Sequence, residues 1–346
     1  MKHQIKTTIF LVILFFIIQI FGVYLSSTTM TFSTNDKGEK VIEYDELNSG
    51  FVREQMDVWQ AIINILIGMF LGTIILIFLL KNKKTKMWKG WISVGIFLTM
   101  FITISELTNY YYGIFLSVFL TYMKIKRNNF LINSLTEILI YPSFAILFSD
   151  IINIKSALFL LFIISIYDYI AVFKSKHMVF MAKEITNNKL FMGIMMPTKI
   201  SKKSFFDGSF FKKNANENTN VNANVKNENL ELNNLSKVLN NNNNDDDNNN
   251  NNNDDDNNNL NNEIENKNKD DLGVAILGGG DIAFPLLFNV AILKTFGLFP
   301  AFLSSLIVSI GLFIFFMFTR KGKFYPAIPP LTISCVISLL IIWILF

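Results

Sequence analysis

The chain has 346 residues, of which 51% are hydrophobic and 17% are charged, and its formal net charge is +4. A soluble globular domain carries about 25% charged residues, and here the apolar residues form long uninterrupted blocks. Blocks of about 18 apolar residues or more are typical of membrane-spanning helices. The composition therefore predicts an integral membrane protein and excludes an ordinary soluble domain. It gives no indication of a nucleic-acid partner.

The first half of the chain carries six predicted transmembrane helices. No small-x-small cleavage site follows the first apolar block, so we expect a retained span rather than a signal peptide. The apolar stretch 91–123 would be roughly 50 Å long as one helix, against a hydrocarbon core of about 30 Å. Its weak break at Glu106–Asn109 therefore predicts two short spans. The six spans cover about 7–25, 58–80, two segments within 91–123, 130–149 and 156–173.

Three further apolar blocks bring the expected number of spans to nine. They cover about 272–294, 298–318 and 325–346. Lysine and arginine clusters mark the cytoplasmic side of a membrane protein. Here they follow the second, fourth, sixth and eighth spans, at Lys81–Lys89, Lys124–Arg127, Lys174–Lys176 and Arg320–Lys323. The charge pattern thus predicts a cytoplasmic N-terminus and an extracellular C-terminus.

The segments divide the chain into helices 1–6 (1–173), a large cytoplasmic loop (174–271) and helices 7–9 (272–346). The start of the loop, about 177–206, keeps apolar residues and is expected to form a surface helix or a loop packed on the span ends. Residues 214–271 are mainly Asn and Asp. A segment with so little apolar area cannot form a core, so we expect a disordered linker. The fold class expected is an all-α multi-pass membrane protein with this insert between helices 6 and 7.

Two acidic residues inside predicted spans are the strongest functional signal. Asp168 lies in the sixth span and Asp281 in the seventh, each in the cytoplasmic half of its helix. An ionisable group within the membrane is costly and needs a reason. Two carboxylates that share one proton can activate a water and polarise a carbonyl, which is the chemistry of peptide hydrolysis. A buried polar network, or a cation or proton site in a transporter, is the alternative interpretation.

Three short motifs accompany these acids. They are Tyr167-Asp168 in the sixth span, Gly278-Gly279-Gly280-Asp281 in the seventh, and Pro326-Ala327-Ile328-Pro329 at the start of the ninth. In type and order they resemble the YD, GxGD and PAL motifs of the presenilin and signal peptide peptidase superfamily of intramembrane aspartyl proteases. The resemblance is closest to archaeal-type presenilin homologues, and it covers the chain outside the Asn-rich insert. Ile328 stands where the family motif has Leu.

The resemblance implies a membrane-embedded aspartic endopeptidase without metal or cofactor. Its substrates would be transmembrane segments of other proteins within the lipid bilayer, and an oligomer is neither required nor excluded. Asp168 and Asp281 would be the catalytic acids. The residues that shape the substrate site would be Tyr167, Gly278, Gly279, Gly280, Pro326, Ala327, Ile328 and Pro329.

Two other functions stay open at this stage. Prepilin and preflagellin peptidases also use a GxGD acid, although they are smaller. A transporter or channel would use the Asp pair for cation or proton transfer. Zinc and serine proteases are disfavoured, because the chain has neither an HExxH nor a GxSxG motif. One further acid, Glu137 in the fifth span, is interpreted as structural and is expected to pair with a lysine of a cytoplasmic loop.

Overall fold

The structure is a computed structural model that describes residues 2–34, 40–52, 57–82, 85–126, 130–174, 193–197, 274–319 and 325–346. The Asn-rich linker at 214–271 and most of the predicted surface segment at 177–206 lie outside these residues. Within the described ranges the chain forms nine α-helices, as expected from the apolar blocks. They are α1 (Lys2–Ser27), α2 (Val58–Lys81), α3 (Thr85–Leu107), α4 (Tyr110–Lys126), α5 (Phe130–Phe148), α6 (Ile154–Tyr169), α7 (Gly279–Phe296), α8 (Leu298–Phe318) and α9 (Ile328–Leu345).

Eight of the described helices are long and apolar enough to cross a membrane, judged by length and composition. The ninth, α4, has 17 residues, at the short end of the range for a span. The long apolar stretch 91–123 is indeed divided, with α3 ending at Leu107 and α4 beginning at Tyr110. A Cβ at Gly113 would lie 2.9 Å from the Cβ of Ser105. This glycine therefore lets the two helices pack closely as a hairpin.

Helix α7 lies at the centre of the bundle. It contacts α1, α5, α6, α8 and α9, and its residues from Pro285 to Leu293 are all buried. Helix α1 belongs to the same core, where Leu11, Phe15 and Ile18 have no exposed surface. Helix α2 lies at the periphery, and half of its described large apolar side chains are exposed. Such a surface suits contact with lipid chains.

A β-hairpin and a second antiparallel strand pair lie at opposite ends of α7. Strands β1 (Met30–Thr34) and β2 (Lys40–Tyr44) follow α1, and this hairpin is attached near the end of α7. The Tyr44 hydroxyl donates to the Ser149 carbonyl at 3.3 Å, and the Lys294 ammonium lies 5.6 Å from the centre of the Tyr44 ring. Strands β3 (Gly193–Pro197) and β4 (Val274–Gly278) pair with each other directly before α7 begins.

The β3–β4 strand pair is the main departure from the expected architecture. The apolar block 272–294 predicts a helix from about 272, whereas α7 starts at Gly279 and β4 occupies the residues before it. Glycine weakens a helix, and the change from strand to helix falls within the run Gly278–Gly280. Ile194, expected in a surface helix or loop, instead pairs with Leu277 in this sheet.

Candidate active site

Asp168 lies near the end of α6 and is 2% exposed. Its Oδ2 atom accepts a hydrogen bond from the backbone N–H of Ile328 at 3.3 Å. Directly after Tyr169 the helix changes to a π-helical turn, Ile170–Lys174. π-Helical turns are rare and occur frequently at functional sites. The acid is thus buried between α6 and the first turn of α9.

Asp281 is the third residue of α7 and is 7% exposed. Its Oδ2 atom accepts a hydrogen bond from the backbone N–H of Gly278 at 3.1 Å, so the carboxylate caps the start of its own helix. The apolar block predicts a position about nine residues into the seventh span, whereas the acid lies in the first turn. The reason is that β4 replaces the first part of the expected helix.

The glycines before Asp281 connect β4 to α7. Gly278 is the last residue of β4 and the N-cap of α7, and Gly279 and Gly280 are the first two helical residues. A Cβ at Gly278 would lie 3.2 Å from Oδ2 of Asp281. A side chain there would crowd the carboxylate, so glycine keeps the space beside this acid free.

The Pro-Ala-Ile-Pro segment forms the start of α9. Pro326 and Ala327 precede the helix, and Ile328, Pro329 and Pro330 are its first three residues. Prolines have no N–H group, so Ile328 carries the one backbone donor among these three residues. That donor is directed at Asp168. The N-terminus of a helix favours a negative charge, so the start of α9 stabilises the ionised form of the Asp168 side chain.

The structure brings the two acids together. Asp281 interacts electrostatically with Asp168 across the contact between α6 and α7, and both side chains are buried. Tyr167 points elsewhere, because its hydroxyl lies 3.5 Å from Oγ1 of Thr73 and its ring lies 5.7 Å from that of Phe70, both on α2. Of the predicted site residues, Tyr167 therefore contacts α2, whereas Gly278 and Ile328 bond directly to the acids.

One buried polar network near the site was not predicted. Gln19 of α1 donates from Nε2 to the backbone carbonyl of Ile282, the residue after Asp281, at 3.0 Å. Asn289 donates to Gln19 at 3.0 Å, and Ser304 donates to Asn289 at 2.7 Å. A Gln or Asn inside an apolar span is itself a signal, because an unpaired amide in hydrocarbon is costly. The positions of Gln19 and Asn289 in the sequence do not indicate which groups they bond to.

Comparison with known proteins places this geometry in a family. The family model described as "Signal-peptide peptidase, presenilin aspartyl protease" matches residues 40–227, which is more than half of the chain. The chain belongs to this family. The matched range includes α6 with Asp168 and ends before Gly278. The expected membership of this superfamily is thereby confirmed, and with it an integral membrane protein of the intramembrane aspartyl protease class. Of the three motifs, Tyr167-Asp168 is the one that lies within the matched range.

The fold agrees with that of a solved member of the family. One such structure, titled "Structure of a presenilin family intramembrane aspartate protease in C222 space group", superposes with a TM-score of 0.55 at 14% sequence identity. The match covers 98% of this chain and 99% of that one. At this low identity the likeness concerns the fold alone. No curated protein matches the sequence.

Proposed function

We propose that this protein is an intramembrane aspartic endopeptidase in which Asp168 and Asp281 form the catalytic pair. The observation that carries the proposal is the placement of two buried carboxylates, near enough to interact electrostatically, on the consecutive helices α6 and α7. Each accepts a backbone hydrogen bond, from Ile328 and Gly278 respectively. These bonds hold the Oδ2 atom of each acid in place, and Asp168 also interacts with the backbone N–H of Ala327.

The proposed mechanism uses the pair as one unit. Two like charges held close together in a low-dielectric site cannot both ionise, so the pair holds a single proton. The ionised carboxylate takes a proton from a water molecule, which attacks the carbonyl carbon of the scissile peptide bond. The protonated carboxyl polarises the carbonyl oxygen, and a proton then passes to the leaving amine. No metal is needed for this sequence of steps.

The β3–β4 strand pair offers an edge on which a substrate could pair in an extended conformation beside the acids. A helical segment hides its peptide bonds, so hydrolysis requires a local extended conformation. Within the described residues, β4 pairs with β3 on one side only, and it ends three residues before Asp281. A substrate strand that adds to its other edge would bring its backbone to the pair.

Orientation follows from the lysine and arginine distribution. With the N-terminus in the cytoplasm, α6 runs inward and α7 runs outward, so the acids lie in the cytoplasmic half of the membrane. We therefore expect single-span substrates with an external N-terminus to be cleaved in preference to inverted ones.

Cleavage of a reporter transmembrane peptide by the purified protein in liposomes tests the proposed function. Wild-type protein should release two fragments, and Asp281→Ala should release none while keeping its melting temperature. Asp150→Ala is the matched control, because this acid lies at the turn after α5 and should leave turnover unchanged. Ion flux across the liposomes without any cleavage would contradict the proposal and favour a transporter.

A further inference from the structure

The turn of α7 that carries Asp281 lacks one regular helical hydrogen bond. It is preceded by three glycines and a strand, and it is followed by Pro285 inside the helix. Because proline has no N–H, the carbonyl of Asp281 lacks the donor that the fourth residue onward supplies in a regular helix. The helix is therefore weakened at this acid, and contacts from other helices help to hold its first turn.

Gln19 supplies a contact from α1 to the carbonyl beside the one that Pro285 leaves without a donor. Its Nε2 donates to the carbonyl of Ile282 at 3.0 Å, and the side chain has no exposed surface. A carbonyl can only accept, so this contact fixes which end of the amide is nitrogen. One turn further along, a Cβ at Gly22 would lie 2.6 Å from Leu286 Cδ2. Gly22 thus lets α1 approach α7 closely enough for Gln19 to reach the turn.

The rest of the network holds Gln19 in one orientation. Asn289 donates to Gln19 Oε1 at 3.0 Å, and Ser304 donates to Asn289 Oδ1 at 2.7 Å. Ser338 lies 3.0 Å from Ser304. All four side chains have no exposed surface. This hydrogen-bond network joins α1, α7, α8 and α9. Its last bond, from Gln19, goes to the backbone carbonyl of the residue after Asp281.

We propose that Gln19 is a positioning residue that fixes the first turn of α7, and with it the Asp281 carboxylate, through the hydrogen bond to the Ile282 carbonyl. The inference rests on the proposed function, because it assigns Gln19 a part in the same reaction. Gln19 touches neither acid and acts through the backbone. Its loss should therefore lower the rate of the chemical step while leaving substrate binding unchanged.

The test compares variants at the two ends of the network. Gln19→Met keeps the side-chain length and removes the donor to Ile282. Ser338→Ala, at the far end, leaves that bond intact and is the matched control. Because Gln19→Met alone leaves the Asn289 amide without its acceptor, the double variant Gln19→Met/Asn289→Leu is made as well. Reporter cleavage gives kcat and KM, and hydrogen exchange gives the protection of the amides at 279–284.

The expected result is a kcat about ten- to hundredfold lower in both Gln19 variants, the scale of a misplacement of about 1 Å. KM should stay within about twofold, and exchange at 279–284 should be faster. Ser338→Ala should resemble wild type in kcat, in KM and in the exchange of these amides. Equal losses of kcat in Ser338→Ala and the Gln19 variants would overturn the proposal and make the network structural.

Failure of the proposed function gives a different pattern. If wild-type protein cleaves no reporter, the endopeptidase assignment is wrong. Hydrogen exchange at 279–284 then still tests whether Gln19 fixes the first turn of α7. Faster exchange confined to 279–284 in the Gln19 variants would support that placement. Unchanged exchange would overturn it.

Discussion

The buried ion pair between α4 and α5 allows a quantitative prediction. Lys124 Nζ lies 2.6 Å from Glu137 Oε1, and the two side chains are 4% and 0% exposed. The lysine also donates to Thr136 Oγ1 at 2.9 Å. At this separation and an effective dielectric constant of about 20, the attraction between the charges is worth about 6 kcal/mol. Desolvation of the two ions offsets most of that gain, so the pair contributes little net stability.

Removal of one partner has a much larger effect than removal of both. Lys124→Met leaves a buried carboxylate without compensation, and Glu137→Leu leaves a buried ammonium. Each single change should lower the free energy of unfolding by about 3–5 kcal/mol. The double variant has no unpaired charge and should lie within about 2 kcal/mol of wild type. The coupling energy is then at least about 4 kcal/mol.

Reversible unfolding in mixed detergent micelles measures these four free energies. Lys126→Met is the matched control. This lysine is two residues away and exposed, and its contacts are with Tyr122, so its loss should cost less than about 1 kcal/mol. Single variants that each cost under about 1 kcal/mol would refute the burial of the pair. A double variant as unstable as the two single losses combined would refute the coupling.

Three further predictions concern packing, the insert and orientation. Gly311→Ala should cost about 1–3 kcal/mol of unfolding free energy, because the new Cβ would lie 2.6 Å from the Cβ of Ser334; Gly95→Ala, which meets nothing within 4 Å, should be neutral or stabilising by about 0.5–1 kcal/mol. Deletion of 214–268, which lies outside the described residues, should leave reporter cleavage largely intact because its Asn and Asp residues cannot form a core; a folded but inactive deletion variant would reveal a role for it. A reporter domain fused after Phe346 should be extracellular, and externally N-terminal substrates should be cleaved faster than inverted ones; a cytoplasmic reporter would contradict the charge pattern.

The helices could be predicted from the sequence because each is a block of apolar residues long enough to span the membrane. The break between α3 and α4 also followed from length, since 91–123 exceeds one span. The expectation that Glu137 pairs with a lysine is confirmed by its contact with Lys124. That lysine lies in the last turn of α4 rather than in a loop.

The features that could not be predicted from the sequence depend on contacts between segments that are far apart in the chain. Strand β4 is apolar like the helix that follows it, and its conformation is set by pairing with β3, about 80 residues earlier. For the same reason Asp281 was expected deeper in its helix than it is. The partner of Gln19 is a backbone carbonyl 263 residues away, and no local pattern encodes such a contact.

The catalytic pair itself is tested most directly by single-turnover cleavage with Asp168→Asn and Asp281→Asn. Asparagine has nearly the same shape and can still accept the backbone hydrogen bonds from Ile328 and Gly278, but it cannot take up or share the proton. Both variants should therefore keep the melting temperature of wild type and lose all detectable cleavage of the reporter peptide. Near wild-type turnover in either variant would contradict the assignment of the two acids.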